Sequence, residues 1–197
     1  MPDSDAVDDK LLAALERIGQ ALRVQLWDTA KHHGLSPTQL QVLLRLGADA
    51  PERRRVGTLA DELDVTHPTV SDAVVVLQRK GFVTRETATR RSPVALTAEG
   101  RSCVAAVAGW ADRTRGALAE LSAADKEHTL RLAMELIAAL QRRGVITVAR
   151  MCVTCRFFRP DVHLDSRRRH HCALLDTPLG ETELRVHCPD HETRATG

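Results

Sequence analysis

Four of the chain's five cysteines, Cys152, Cys155, Cys172 and Cys188, lie beyond residue 151 of 197, spaced C-x2-C-x16-C-x15-C. The segment that holds them has too few apolar residues to close a hydrophobic core alone, so ligation by the cysteines has to supply much of its folding free energy. This feature divides the chain into a body that folds by burial and a tail built on ligands. The length, a little over one average domain, suits one compact domain over residues 1–146 and a Cys-rich segment over 147–197.

Composition narrows the class. Hydrophobic residues make up 43% of the chain and charged residues 27%, the balance of a globular protein, and no apolar run approaches the roughly 18 residues of a membrane span. The start, MPDSDAVDDK, is acidic and has no apolar signal segment. The expected location is therefore cytoplasmic, with no membrane partner. In that compartment four clustered cysteines bind metal more often than they form structural disulfides. A thiol–disulfide switch is the competing use.

Periodicity organises the body. Leu11, Leu15, Ile18, Leu22 and Leu26 follow at three- and four-residue steps, which predicts a helix from about Val7 to His33. At 1.5 Å per residue it is about 40 Å long, more than a small core needs, so part of it is expected to pack on a second subunit in a homodimer. Ser36-Pro37 opens a second helix over Gln39 to Leu46, with Gly47 as its stop. Thr58 caps a short helix, Leu59 to Leu63, and Thr66-His67-Pro68 starts another whose Val70, Val74 and Leu77 point one way. Two helices joined by so tight a turn are a helix-turn-helix. The β-like runs Phe82–Arg85 and Val94–Thr97 flank a basic tip, and such a hairpin beside a helix-turn-helix is a wing. One helix is then expected from Thr97 through Leu121, weakened by Gly109 and Gly116. Ser122 caps a last one that ends at Arg143-Gly144.

Net charge is only +2, from 28 basic and 26 acidic residues, so a nucleic-acid reading rests on local clustering. Between Arg79 and Arg91 stand five basic residues and one acid, Glu86. Arg167-Arg168-Arg169 forms a second run, either a phosphate contact or a solvated loop.

The string Thr58-Leu59-Ala60-Asp61-Glu62-Leu63, Val65-Thr66-His67-Pro68-Thr69-Val70-Ser71, Leu77-Gln78-Arg79-Lys80-Gly81-Phe82-Val83, wing, Leu96-Thr97-Ala98-Glu99-Gly100 resembles the MarR family of winged helix-turn-helix transcription regulators over roughly residues 10 to 143. The resemblance implies a mainly α fold with long N- and C-terminal dimerisation helices and a homodimer on a double-stranded DNA operator. It also implies repression released by a small-molecule effector or by oxidation. In a helix-turn-helix the N-terminal residues of the second helix reach base edges, and its dipole favours phosphate. That nominates Thr66, His67, Pro68, Thr69, Ser71 and Asp72. None offers a bidentate arginine–guanine contact, so the wing arginines Arg90 and Arg91 carry a larger share. By the resemblance Arg90 takes the minor-groove position, while Ala88 stands where the family usually has an aspartate that braces the wing. Plainer readings exist for several of these residues: Asp72 and Arg79 as solvated surface charges, His67 as a turn residue, His32-His33 as partners of a helix dipole, and Cys103 as a small core residue.

The cysteine segment allows two metal readings. All four cysteines can hold one [4Fe-4S] cluster, one thiolate per iron. Their close pair followed by two distant singles resembles the spacing of high-potential iron–sulfur proteins, and Phe157-Phe158 would screen the cluster. Alternatively Zn2+ sits on Cys152, Cys155, Cys188 and His191 and leaves Cys172 idle. The leading function is thus a transcription regulator, expected to repress, that senses redox state, nitric oxide or iron. Its alternative is a repressor answering a small aromatic ligand, with a structural zinc tail. A redox enzyme or electron carrier is the third, and it lacks a nucleotide-binding glycine loop or a catalytic triad.

Overall fold

Seven helices and two small sheets are present in the computed structural model, which describes residues 2–48, 54–85 and 92–194. In order these are α1 (Pro2–His32), α2 (Pro37–Ala48), α3 (Val56–Leu63), α4 (His67–Arg79), β1 (Val83–Arg85), β2 (Val94–Leu96), α5 (Ala98–Val107), α6 (Asp112–Ala119), α7 (Ala123–Arg142), β3 (Phe158–Arg159), β4 (His170–Cys172) and β5 (Thr177–Leu179). The fold is mainly α with a winged helix-turn-helix, as the sequence suggests. The chain divides into two compact units, residues 1–59 with 67–117, and residues 60–66 with 118–197.

In the first unit α2 packs on α4. The apolar positions Leu40, Val42, Leu43 and Leu46 of α2 and Val70, Ala73, Val74 and Leu77 of α4 are all buried. Gly81 ends α4 in the left-handed region at φ +75, where a side chain would be strained. β1 and β2 then pair antiparallel in the register Val83 to Leu96, Thr84 to Ala95 and Arg85 to Val94. Thr97 closes the hairpin: its N–H donates to Phe82 O (3.1 Å), its hydroxyl donates to Gly81 O (2.6 Å), and that hydroxyl also accepts from Gly100 N–H (2.9 Å) as the N-cap of α5. Gly100 is fixed by space, since a Cβ there would stand 1.9 Å from Phe82 O.

Three sequence expectations change. The helix read as continuous from Thr97 to Leu121 is two, broken over residues 108–111, where a Cβ on Gly109 would meet Asp112 Oδ2 at 2.6 Å. Gly47 does not stop α2 but lies inside it, against the Val104 side chain. The cysteine segment carries a three-stranded sheet, β3-β4-β5, that the sequence reading did not anticipate.

In the second unit Met134 and Ala138 of α7 join Ala149, Met151, Cys152, Cys155, Phe158 and Leu184 in one buried cluster. The cysteine segment therefore borrows apolar surface from α7. Ser122 caps that helix by accepting from Asp125 N–H at 3.1 Å, as its position in the sequence implies.

Candidate nucleic-acid interface and cysteine site

The buried stripe of α4 dictates what its other face offers. Pro68, Thr69, Asp72, Val75 and Arg79 are exposed, His67 and Ser71 are half-buried, and Thr66 is exposed just before the helix. The residues nominated from sequence on this helix thus gather at its N-terminal turns, where backbone N–H groups and the helix dipole favour an anionic backbone. Val75 was missed. It is 47% exposed on the same side as Asp72 and Arg79, and its place in the run Val74-Val75-Val76 hid it among core residues. An apolar side chain there suits contact with a thymine methyl. The wing strands are formed, whereas Arg90, Arg91 and Ala88 lie outside the described residues.

Other candidates fall into plainer roles. Cys103 is partly buried in α5 and burial pushes its thiol above the usual range, the behaviour of a packing residue. His32 and His33 stack edge to face, with ring centres 5.3 Å apart, at the end of α1. With Asp28, Thr29, Ala106, Gly109 and Trp110 they line an open pocket. The arginine run is committed within the chain. Arg168 forks onto Glu183, and Arg169 pairs with Glu181 at 2.6 Å and with Asp161 at 3.0 Å. Both side chains stay about half exposed, at 51% and 42%.

All four tail cysteines line one cavity, walled by Phe157, Phe158, Leu174, Leu175 and Leu179, with Asp190 beside them. Local structure puts each sulfur there. Cys152 and Cys155 bracket a 3-10 turn in which Cys155 N–H donates to Cys152 O (2.9 Å), and the Thr154 hydroxyl donates to Ala149 O (2.8 Å). Cys172 ends β4 between Phe158 of β3 and Thr177 of β5. Cys188 donates its N–H to Arg150 O (2.8 Å). Arg185 serves two sulfurs, its N–H donating to Cys152 Sγ (3.2 Å) and its guanidinium lying 3.9 Å from Cys188 Sγ.

Electrostatics explain what such a set requires. Burial pushes the Cys152 thiol up, and the Arg185 N–H works against this, while the charges of Cys188, Cys172 and Cys155 raise it further. Four thiolates crowded against an apolar wall are stable only with a positively charged group among them. Among the described residues no group of three or more His, Cys, Asp or Glu side chains is placed to hold a metal ion. Cys172 lines the shared cavity. His191, its rival in the zinc reading, has Nε2 2.9 Å from Thr154 Oγ1.

Comparison with known proteins follows from this geometry. A family model described as MarR family matches residues 33–92. No curated protein sequence matches the chain. Among solved structures, a Staphylococcus aureus MepR–DNA complex is similar at 20% identity and TM-score 0.56, covering 65% of this chain and 96% of that one. The transcriptional regulator PA3341 is similar at 24% identity and TM-score 0.58, covering 67% and 98%. Staphylococcus aureus MarR in complex with salicylate and kanamycin is similar at 13% identity and TM-score 0.61, covering 69% and 93%. These likenesses show the fold, and about a third of this chain has no counterpart in them. No helix of the described residues is long and apolar enough to cross a membrane. Residues 33–92 of this chain are therefore similar to the MarR family, and its first unit has the winged-helix fold of the solved structures above.

Proposed function

We propose that the chain is a homodimeric, operator-binding transcription regulator whose C-terminal cysteines hold a [4Fe-4S] cluster that reports redox state, nitric oxide or iron supply. The observation that carries the sensor reading is the convergence of Cys152, Cys155, Cys172 and Cys188 on one apolar-walled cavity. A four-iron cluster takes one thiolate per iron, and N–H donors to its sulfurs tune it; the Arg185 N–H, which donates to Cys152 Sγ, would be such a donor. A single zinc ion would draw its ligands to about 2.3 Å from one centre, the competing use of the same cysteines. The DNA reading rests on the exposed N-terminal turns of α4 beside a formed wing hairpin.

Anaerobic purification, a visible absorption spectrum and analysis for iron, sulfide and zinc test the sensor. A brown protein with about four irons per chain is expected. A colourless protein with one zinc and no iron sinks the cluster. For DNA, selection of a binding site from random duplexes should return a pseudo-palindrome. Arg90→Ala should then weaken that complex and flatten its salt dependence by about one unit of slope; equal affinity at every salt concentration removes Arg90 from the interface.

A second reading rests on the pocket beside His32, His33 and Trp110, which suits a small aromatic effector. Salicylate displacing the operator complex from a colourless, zinc-bearing protein would favour it over the cluster.

A further inference from the structure

The cysteine segment is tied to the turn of the helix-turn-helix. Residues 60–66 belong to the same compact unit as residues 118–197, and two polar contacts make the join. The Arg150 guanidinium pairs with the Glu62 carboxylate at 2.5 Å, and the two side chains are 19% and 8% exposed. Thr147 N–H donates to Asp64 Oδ1 at 2.8 Å. Asp64 holds the turn between α3 and α4 at φ +50, and α4 begins three residues later at His67.

The same short segment, residues 147–152, reaches the cysteines at its other end. Arg150 O accepts the Cys188 N–H, and Cys152, two residues on, donates its N–H to Arg185 O at 3.0 Å. One residue thus faces a cysteine ligand with its backbone and the helix-turn-helix with its side chain. A mostly buried ion pair responds strongly to loss or displacement of either partner, because a charge is left without compensation. Transmission between sites needs an element whose arrangement both sites bias, and the turn held by this pair is placed to be one.

We infer that Arg150 and Thr147 clamp the helix-turn-helix turn to the cysteine segment, so that the state of the cysteine site sets the start of the recognition helix through Glu62 and Asp64. The inference rests on the proposed sensor for its biological input, but the clamp itself does not depend on which group the cysteines hold. Arg150 is a positioning residue that acts through Glu62 and is not itself one of the cysteine ligands.

The test uses the full chain, iron-loaded and chelator-stripped, as wild type, Arg150→Ala and Asp64→Gly. Glycine suits φ +50 and lacks the acceptor, so that variant tests the same join without removing a buried charge. Asp64→Asn, which keeps Oδ1 and tolerates the same backbone, serves as the rescue. Iron content and the visible spectrum, hydrogen exchange at amides 60–67, and operator affinity are read on the same samples. Loaded and stripped wild type should differ in affinity by about 5–150-fold. In Arg150→Ala and Asp64→Gly iron uptake should persist, exchange at 60–67 should quicken, and the affinity ratio should fall toward one, with Asp64→Asn restoring it. An unchanged ratio and unchanged exchange in both variants overturn the clamp. If the wild type takes up no iron, the cluster reading fails separately and exchange alone decides: faster exchange at 60–67 in Arg150→Ala, Asp64→Gly and Cys188→Ser supports the clamp, and wild-type exchange in all three overturns it.

Discussion

Two single residues show how little freedom the site allows. Gly100 lies where a Cβ would overlap Phe82 O at 1.9 Å, and backbone cannot step aside as a flexible side chain would. Gly100→Ala should therefore cost ~3 kcal/mol or more, read as a lower midpoint in urea, with the loss concentrated where α5 meets the wing. A midpoint within error of wild type would mean that the hairpin re-seats without strain. Cys152 gives a pH prediction. Burial lifts its thiol above the ordinary value of 9.0, so the folded metal-free chain holds that proton more tightly than the unfolded one does. The stability this confers is complete below the ordinary thiol range and is lost as pH rises from about 9 through the elevated value. Metal-free protein should then lose stability as pH rises above about 9, whereas Cys152→Ser should lose less over the same rise; equal slopes would dismiss the thiol as the cause. The sequence showed Gly100 only as part of the Thr97-Ala98-Glu99-Gly100 string, while the close approach of Phe82 O that requires it is a tertiary contact. Nor did the sequence hold any sign of Glu62 meeting Arg150, because two charged residues so far apart in sequence carry no local signature of their pairing.

At the scale of elements, legibility follows period and length. The helices α2 and α4 were readable because buried positions recur at helical spacing, and the wing because apolar runs flank a basic tip. β3, β4 and β5 were not, since two- and three-residue strands carry no period and are held by pairing around Cys172. The break between α5 and α6 was half visible: Gly109 signalled weakness, while the local turn in which Asp112 N–H donates to Gly109 O and the Asp112 carboxylate lies where a Cβ on Gly109 would be carries no periodic signal. Val75 shows the same limit, because a Val triplet on a helix must turn one member outward and sequence does not say which. Its exposure leads to a prediction with two independent readouts. Val75→Ala should change stability by no more than about 0.5 kcal/mol, yet weaken the operator complex. Replacing operator thymines by deoxyuridine, which lacks the methyl, should weaken wild type at a specific position and leave Val75→Ala indifferent there. Equal sensitivity of both proteins at every thymine would take Val75 out of the recognition face.

At the scale of the whole molecule, the long first helix is the part least explained by a single chain. Val7, Leu11, Leu15 and Ile18 are 52%, 56%, 46% and 55% exposed, and the last three follow at four- and three-residue steps on one side of a 31-residue helix. A contiguous apolar stripe of this kind is unfavourable in water and calls for a second copy in a symmetric pairing. In the proposed regulator such a pairing would also serve recognition, because two helices reading half-sites one DNA turn apart gain the effective concentration that one helix lacks. Leu15→Glu with Ile18→Glu puts two like charges in the stripe without touching the protomer's own core, as both side chains are exposed. Sedimentation equilibrium should show a monomer with unchanged helical content by circular dichroism. Affinity for the full operator should fall by about 100-fold or more, toward that of wild type for an isolated half-site. A double variant that stays dimeric would place the symmetric contact elsewhere and leave the α1 stripe without a role in assembly.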